Sequence, residues 1–434
     1  LVLNVWTPGR EPGAKRPVMV WLHPGAFAGG AGYQYTGDGN LAKKGDVVQV
    51  EVNHRLNVFG FAAFGAPGDD AALGDLAARF PDAGNLGLLD LVAALEWVRD
   101  NARAFGGDPA NVTIFGESGG GAKVSALMAM PAAQGLFHKA IAQSGFLLRA
   151  REPEAALAAT RAWLGELGLE RPSAKALQEL PSERLLAAFL AVRPKLARGQ
   201  GFSPVVDGRA LAHHPWSPGA PPESADVPLV LGCTRDETTI LLGMLGPDPD
   251  AMFALSEAAM RERLADHLGI DAAATAALVA AYRKAHPGMS PSDVFFLATS
   301  DHMMRVPSIL QAERKAAQGG APAWLYLFTW ESPAFGARMK AHHGAELPFV
   351  FDTIEASADR IGRGEDRRRL AEQMRGAWAR FAHTGDPNHE ALPPWSPYAL
   401  PSRETMLFDM PSRVARDPGA GERRAMTPLV VAAR

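Results

Sequence analysis

The residues best suited to chemistry are gathered in one pentapeptide, Gly116-Glu117-Ser118-Gly119-Gly120, which fits the pattern G-x-S-x-G. A serine hydroxyl is a weak nucleophile until its backbone aims it at the substrate and a base takes its proton. The glycines meet the first need. A strand that turns sharply into a helix crowds the residues two before and two after the serine, so both must be small. The start of the helix then points unpaired amides toward any negative charge that develops. The pentapeptide lies between a strand-like run, Asn111 to Phe115, and a helical pattern from Ala122 to Met130. That framing favours a nucleophile over a structural serine in a Gly-rich turn.

Attack on a carbonyl also requires donors for the oxyanion. A second small-residue turn, His23-Pro24-Gly25-Ala26-Phe27, directly follows the apolar run Pro17 to Leu22. In nucleophile-elbow enzymes one donor is the amide after the serine and another comes from such a turn. The expected donors are therefore the amides of Gly25, Ala26 and Gly119. Pro24 has no N–H to give. His23 precedes a proline and should be extended; it reads as a structural histidine that orders the turn.

The base and its orienting acid are harder to choose. The chain holds 12 histidines, and spacing does not select among them. Chain order helps, because this architecture places nucleophile, acid and histidine in that sequence. The strand-like run Val227 to Leu231 leads to Asp236 and Glu237. A second run, Trp324 to Trp330, leads to His342 and His343. Either acid and either histidine satisfies the order.

The elements around these residues alternate between strand and helix. Strand character appears at Leu1 to Trp6, Pro17 to Leu22, Asp46 to Val52, Asn111 to Phe115 and Ala140 to Gln143. Gln49 and Glu51 are unusual for a strand covered on both faces. Leu88, Leu89, Val92, Leu95 and Val98 recur at helical spacing within 86–102. The stretches 154–167, 173–192 and 251–283 also read as helices, as does 367–382. Strands separated by helices predict a mostly parallel sheet flanked by helices. Helical insertions at about 151–200 and 246–315 are expected to form a lid on a single domain spanning 1–434.

Composition narrows the class. With 434 residues, 44 basic and 47 acidic, the chain is nearly balanced and offers no electrostatic reason to bind nucleic acid. No apolar run is long enough for a membrane span. The one cysteine, Cys233, rules out an internal disulfide, leans toward a cytoplasmic setting and reads as a buried, inert thiol. No Cys/His cluster suggests a metal, so neither metal nor organic cofactor is expected. The chain opens on Leu1 inside a strand-like run, where a polar, frayed end is usual. It therefore reads as a fragment without its beginning.

The sequence resembles the type-B carboxylesterase family, which includes cholinesterases and bacterial para-nitrobenzyl esterases. The matching stretches are LNVWTP near the start, NHRLNVFGF at 53–61, GNLGLLD at 84–90, AFGGDPANVTIFGESGG at 104–120, AQSG at 142–145, PVVDG at 204–208, HGAELPFVF at 343–351 and FAHTGDPN at 381–388. The resemblance implies an α/β-hydrolase fold and a serine carboxylesterase working through an acyl-enzyme on small esters. It assigns the acid to Glu237, the base to His343 and the oxyanion donors to Gly25, Ala26 and Gly119. Glu117 and Ser144 fall on supporting positions. The family usually has Gly where this chain has Pro24 and Ala where it has Gly119, and it carries a further segment ahead of LNVWTP. The rival readings are a non-catalytic binding protein on the same fold, or a hydrolase of amides, carbamates or thioesters, or an acyltransferase, using the same site.

Overall fold

The computed structural model describes residues 1–11, 13–65, 73, 75–169, 172–196 and 201–432. Parts of the expected first insertion, 170–171 and 197–200, lie outside it. Nine strands form one sheet: β1 Val2–Trp6, β2 Arg16–Leu22, β3 Val48–Asn53, β4 Gly107–Glu117, β5 Lys139–Gln143, β6 Leu229–Thr234, β7 Ala323–Phe328, β8 Glu404–Phe408 and β9 Arg413–Arg416. Their order across the sheet is β1-β3-β2-β4-β5-β6-β7-β8-β9. All neighbours from β3 to β8 run parallel, and the edge strands β1 and β9 pair antiparallel.

Period-2 alternation splits the core into two layers. Val18, Val20 and Leu22 of β2 enter one layer with Leu88, Leu91 and Leu95 from the helix Leu86–Asn101. Met19 and Trp21 enter the other with Trp378 and Phe381 from the helix Glu365–Thr384. Both faces of the parallel strands are covered, which is why they read as nearly continuous apolar runs. Gln49 and Glu51 are buried on β3 as a bonded pair: Gln49 Nε2 donates to Glu51 Oε1 at 2.9 Å, and Asn4 Nδ2 of β1 donates to Glu51 Oε2 at 3.3 Å. At the edge, Leu1 and Val2 are exposed.

Helices fill the two long crossovers. Pro153–Glu166, Ala174–Gln178 and Ser182–Val192 lie between β5 and β6, and a second group from Glu257–Leu268 to Val306–Gln318 lies between β6 and β7. The expected single helix over 251–283 is corrected to the end of the short helix Pro249–Met252 followed by Glu257–Leu268 and Ala272–Ala285, the latter two bent by 112°. Gly269, at φ 66°, takes the left-handed conformation that ends Glu257–Leu268. The expected helix over 173–192 is likewise interrupted, with Pro181 preceding its second part. No single helix among the described residues is long and apolar enough to cross a membrane.

Candidate active site

Ser118 stands at the junction of β4, in the middle of the sheet, and the helix Gly119–Leu127. Its backbone, φ 55° and ψ −120°, is a conformation that L-residues rarely hold without support. The support is steric and hydrogen-bonded. A Cβ on Gly120 would sit 1.9 Å from the Leu22 carbonyl oxygen, and one on Gly116 would sit 2.6 Å from the same atom. The Ser118 amide donates to the Gln143 carbonyl at 2.8 Å, while Ala122 returns a bond to the Ser118 carbonyl at 3.0 Å. The turn is thus wedged between β2 and β5.

The turn from His23 to Phe27 emerges from the end of β2 beside this elbow. Ala26 has φ 54°, and its backbone lies against Gly119. A Cβ at position 119 would fall 2.4 Å from Ala26 Cα and 2.5 Å from Ala26 N. The amides of Gly25, Ala26 and Gly119 have no hydrogen-bond acceptor among the described residues. The His23 ring is buried and donates from Nδ1 to the Pro24 carbonyl at 2.7 Å. It stacks on His54 with ring centroids 5.0 Å apart. Burial first, and then the Lys123 ammonium, pushes the His23 imidazole down to about 4.

Beyond β6, Glu237 is fully buried. Its Oε1 accepts from the Thr234 amide at 2.8 Å, and its Oε2 is hydrogen-bonded to Nδ1 of His343. The neighbouring candidates are engaged elsewhere. Asp236 Oδ2 is paired with Arg235 at 2.7 Å and accepts from the Ala341 amide at 3.2 Å. His342 is buried, with Nδ1 2.9 Å from the His343 carbonyl. Thr238 anchors the acid loop to the helix Pro291–Ser300, donating from Oγ1 to the Phe296 carbonyl at 2.8 Å and from its amide to Ser300 Oγ at 3.1 Å. Glu237 and His343 are therefore brought together. Ser118 is half-buried, and its Oγ makes no hydrogen bond among the described residues. Such bonds often close only when substrate is bound.

Around His343 the structure gathers acid groups that spacing did not reveal. Glu117 Oε1 lies 3.2 Å from His343 Nε2 without forming a hydrogen bond. Glu346, fully buried, accepts from Gln143 Nε2 at 3.1 Å, and Gln143 in turn accepts from Trp378 Nε1 at 2.9 Å. Burial pushes the carboxyls of Glu117 and Glu346 up. Burial acts to lower His343, but the charges of Glu117 and Glu237 outweigh it and raise the imidazole. Ser144 lies beneath the elbow at φ 43°, its amide donating to the Gly232 carbonyl at 2.7 Å and its Oγ buried without a hydrogen-bond partner among the described residues. Gln143 and Glu346 sit inside the AQSG and HGAELPFVF stretches, so the signal was present in the resemblance and absent from residue spacing. Lys123, buried in the elbow helix, was not singled out from the sequence; the signal that marks it is a lone charge within the stretch 119–130.

A strand–serine–helix turn at the centre of a mostly parallel sheet, with a buried glutamate–histidine pair on loops after later strands, is the architecture of an α/β-hydrolase. The chain belongs to the carboxylesterase family, whose model matches residues 1–423. It is 35% identical to a para-nitrobenzyl esterase of Bacillus subtilis, covering 99% of this chain and 82% of that one. It is 32% identical to a phenmedipham hydrolase of Pseudarthrobacter oxydans, covering 96% and 80%. Among solved structures, a Geobacillus stearothermophilus carboxylesterase superposes with a TM-score of 0.82 at 36% identity, over 98% of this chain and 85% of that one. The chain is accordingly a carboxylic-ester hydrolase of the serine type.

Proposed function

We propose that Ser118, His343 and Glu237 form the catalytic triad of this esterase and that the amides of Gly25, Ala26 and Gly119 form its oxyanion hole. The observation that carries the reading is the His343 ring held through Nδ1 by a fully buried Glu237, both on loops that follow inner parallel strands, as the strained serine elbow does. Ser118 Oγ attacks the ester carbonyl carbon as His343 Nε2 takes its proton. Glu237 holds the tautomer and stabilises the imidazolium. The three amides take the charge on the carbonyl oxygen. Collapse breaks the bond to the alcohol oxygen, which receives the proton from His343. Water then attacks the acyl-enzyme, again giving its proton to His343, and collapse releases the acid and restores Ser118. Glu117 and Ser144 support the site by fixing the charge and backbone around it. Residues 1–434 act as one domain, and the helices of the two long crossovers serve as its lid; the bonds from Thr238 to the helix Pro291–Ser300 support that role.

The substrates are small-molecule esters, handled without nucleic acid, metal or organic cofactor. Release of p-nitrophenol from p-nitrophenyl acetate and butyrate, by the parent and by Ser118→Ala, tests the reading. Turnover in the parent and none in the variant is expected. A folded parent without turnover, or a variant that retains it, overturns the assignment.

A further inference from the structure

Lys123 is fully buried in the helix that begins at the nucleophile. It makes no ion pair among the described residues. Its Nζ donates to the carbonyl of His23 at 3.0 Å and stands 5.9 Å from the centroid of the Phe27 ring. His23 and Phe27 flank Pro24-Gly25-Ala26, so this one side chain grips the turn on both sides. The other polar groups nearby offer it no counter-charge. His23 and His54 stack beside it, each with a buried Nε2 that has no hydrogen-bond partner among the described residues. Burial pushes the Lys123 ammonium down to about 7.

A buried cation with a single acceptor is costly to the fold, and an apolar side chain would fill the same space without that cost. Its attachment must therefore matter for something other than stability. The second contact points the same way: the backbone of Ala26 rests on Gly119, occupying the place that a Cβ there would need. We infer that Lys123 is a positioning residue for the oxyanion hole, tethering the Gly25–Ala26 turn to the elbow helix so that its amides and that of Gly119 face one oxygen. The inference rests on the reading of those three amides as the oxyanion donors.

The test compares the parent with Lys123→Met, which keeps the length and volume and removes the donor and the charge. The expected result for p-nitrophenyl butyrate is a fall in kcat of about 10- to 100-fold with KM within about twofold, less than the ~10²–10³ lost when an oxyanion donor itself is removed. The melting temperature should hold or rise. Affinity for a trifluoromethyl ketone, which forms an oxyanion on the serine, should fall in proportion to kcat/KM. Gly119→Ala should lower kcat through the same turn, and the double variant should lose less than the product of the two effects. An unchanged kcat in Lys123→Met overturns the inference, as does a loss of kcat that merely tracks a lowered melting temperature. If Lys123→Met does not fold, Lys123→Gln is judged by the same readouts. Ser118→Ala, assayed alongside, separates the two readings: residual turnover there sinks the site assignment, whereas an unaffected Lys123→Met sinks only this one.

Discussion

Glu237 and Asp236 are adjacent in sequence and both buried, yet they face different partners. Glu237 bonds His343, and Asp236 bonds Arg235. Glu237→Gln should lower kcat by about 10³–10⁴, in the range seen when a triad carboxylate loses its charge. Asp236→Asn should instead cost stability, because it leaves a half-buried arginine short of a partner, with kcat little changed. Paired kinetics and melting curves for the two variants check this; equal kinetic losses contradict it. His343→Ala should abolish turnover while His342→Ala keeps most of it. The raised imidazole has a consequence for pH. With His343 as the proposed base, activity needs the neutral ring, so the acid limb of kcat/KM should lie above the ordinary histidine value. Removing one source of negative charge with Glu117→Gln should move that limb to lower pH, as a pH–rate profile of the variant would reveal. Sequence spacing left both pairs open because neighbouring loop residues differ only in where they point. The resemblance chose between them, and the structure gives each a distinct partner.

At the scale of elements, the elbow is set by what its glycines exclude. Gly120→Ala would drive a Cβ to 1.9 Å from the Leu22 carbonyl oxygen. Backbone has little room to yield there, so thermal or urea melts should show a loss of at least the ~1–3 kcal/mol typical of overpacking. A variant as stable as the parent would mean that β2 and the elbow are less tightly joined than they appear. The strands that carry the site were legible because burial on both faces makes them nearly continuous apolar runs, as in β2, β6 and β7. The breaks were not. Gly269 and Pro181 sit inside helical patterns, and an internal glycine is tolerated often enough that only its left-handed backbone marks it as a helix end. The short strand β9, Arg413–Arg416, carries two arginines in four residues and no alternation that periodicity would register.

For the molecule as a whole, the buried ionisable groups set opposing pH trends. A carboxyl pushed up by burial, as at Glu117 and Glu346, binds its proton more tightly folded than unfolded, so its contribution declines as pH rises through the folded value. Lys123 behaves in the opposite sense. Its folded value of about 7 lies below the ordinary 10.5, so the unfolded chain holds the proton more tightly and stability rises with pH between those values. Replacing Lys123 by Met should therefore raise the melting temperature most below pH 7 and progressively less toward pH 10. Melting curves across that range check the sign; a gain that grows with pH contradicts it.

The central claim is that acyl transfer passes through Ser118. Its most direct test is to mix the enzyme with p-nitrophenyl butyrate, quench in acid within the first turnover, and map the acylated peptide by mass spectrometry. A butyryl group on Ser118, absent in Ser118→Ala and accumulating in His343→Ala only far more slowly, is the predicted result. Acylation at another residue, or turnover with no acyl-enzyme under conditions that trap one in a known serine esterase, would contradict the account.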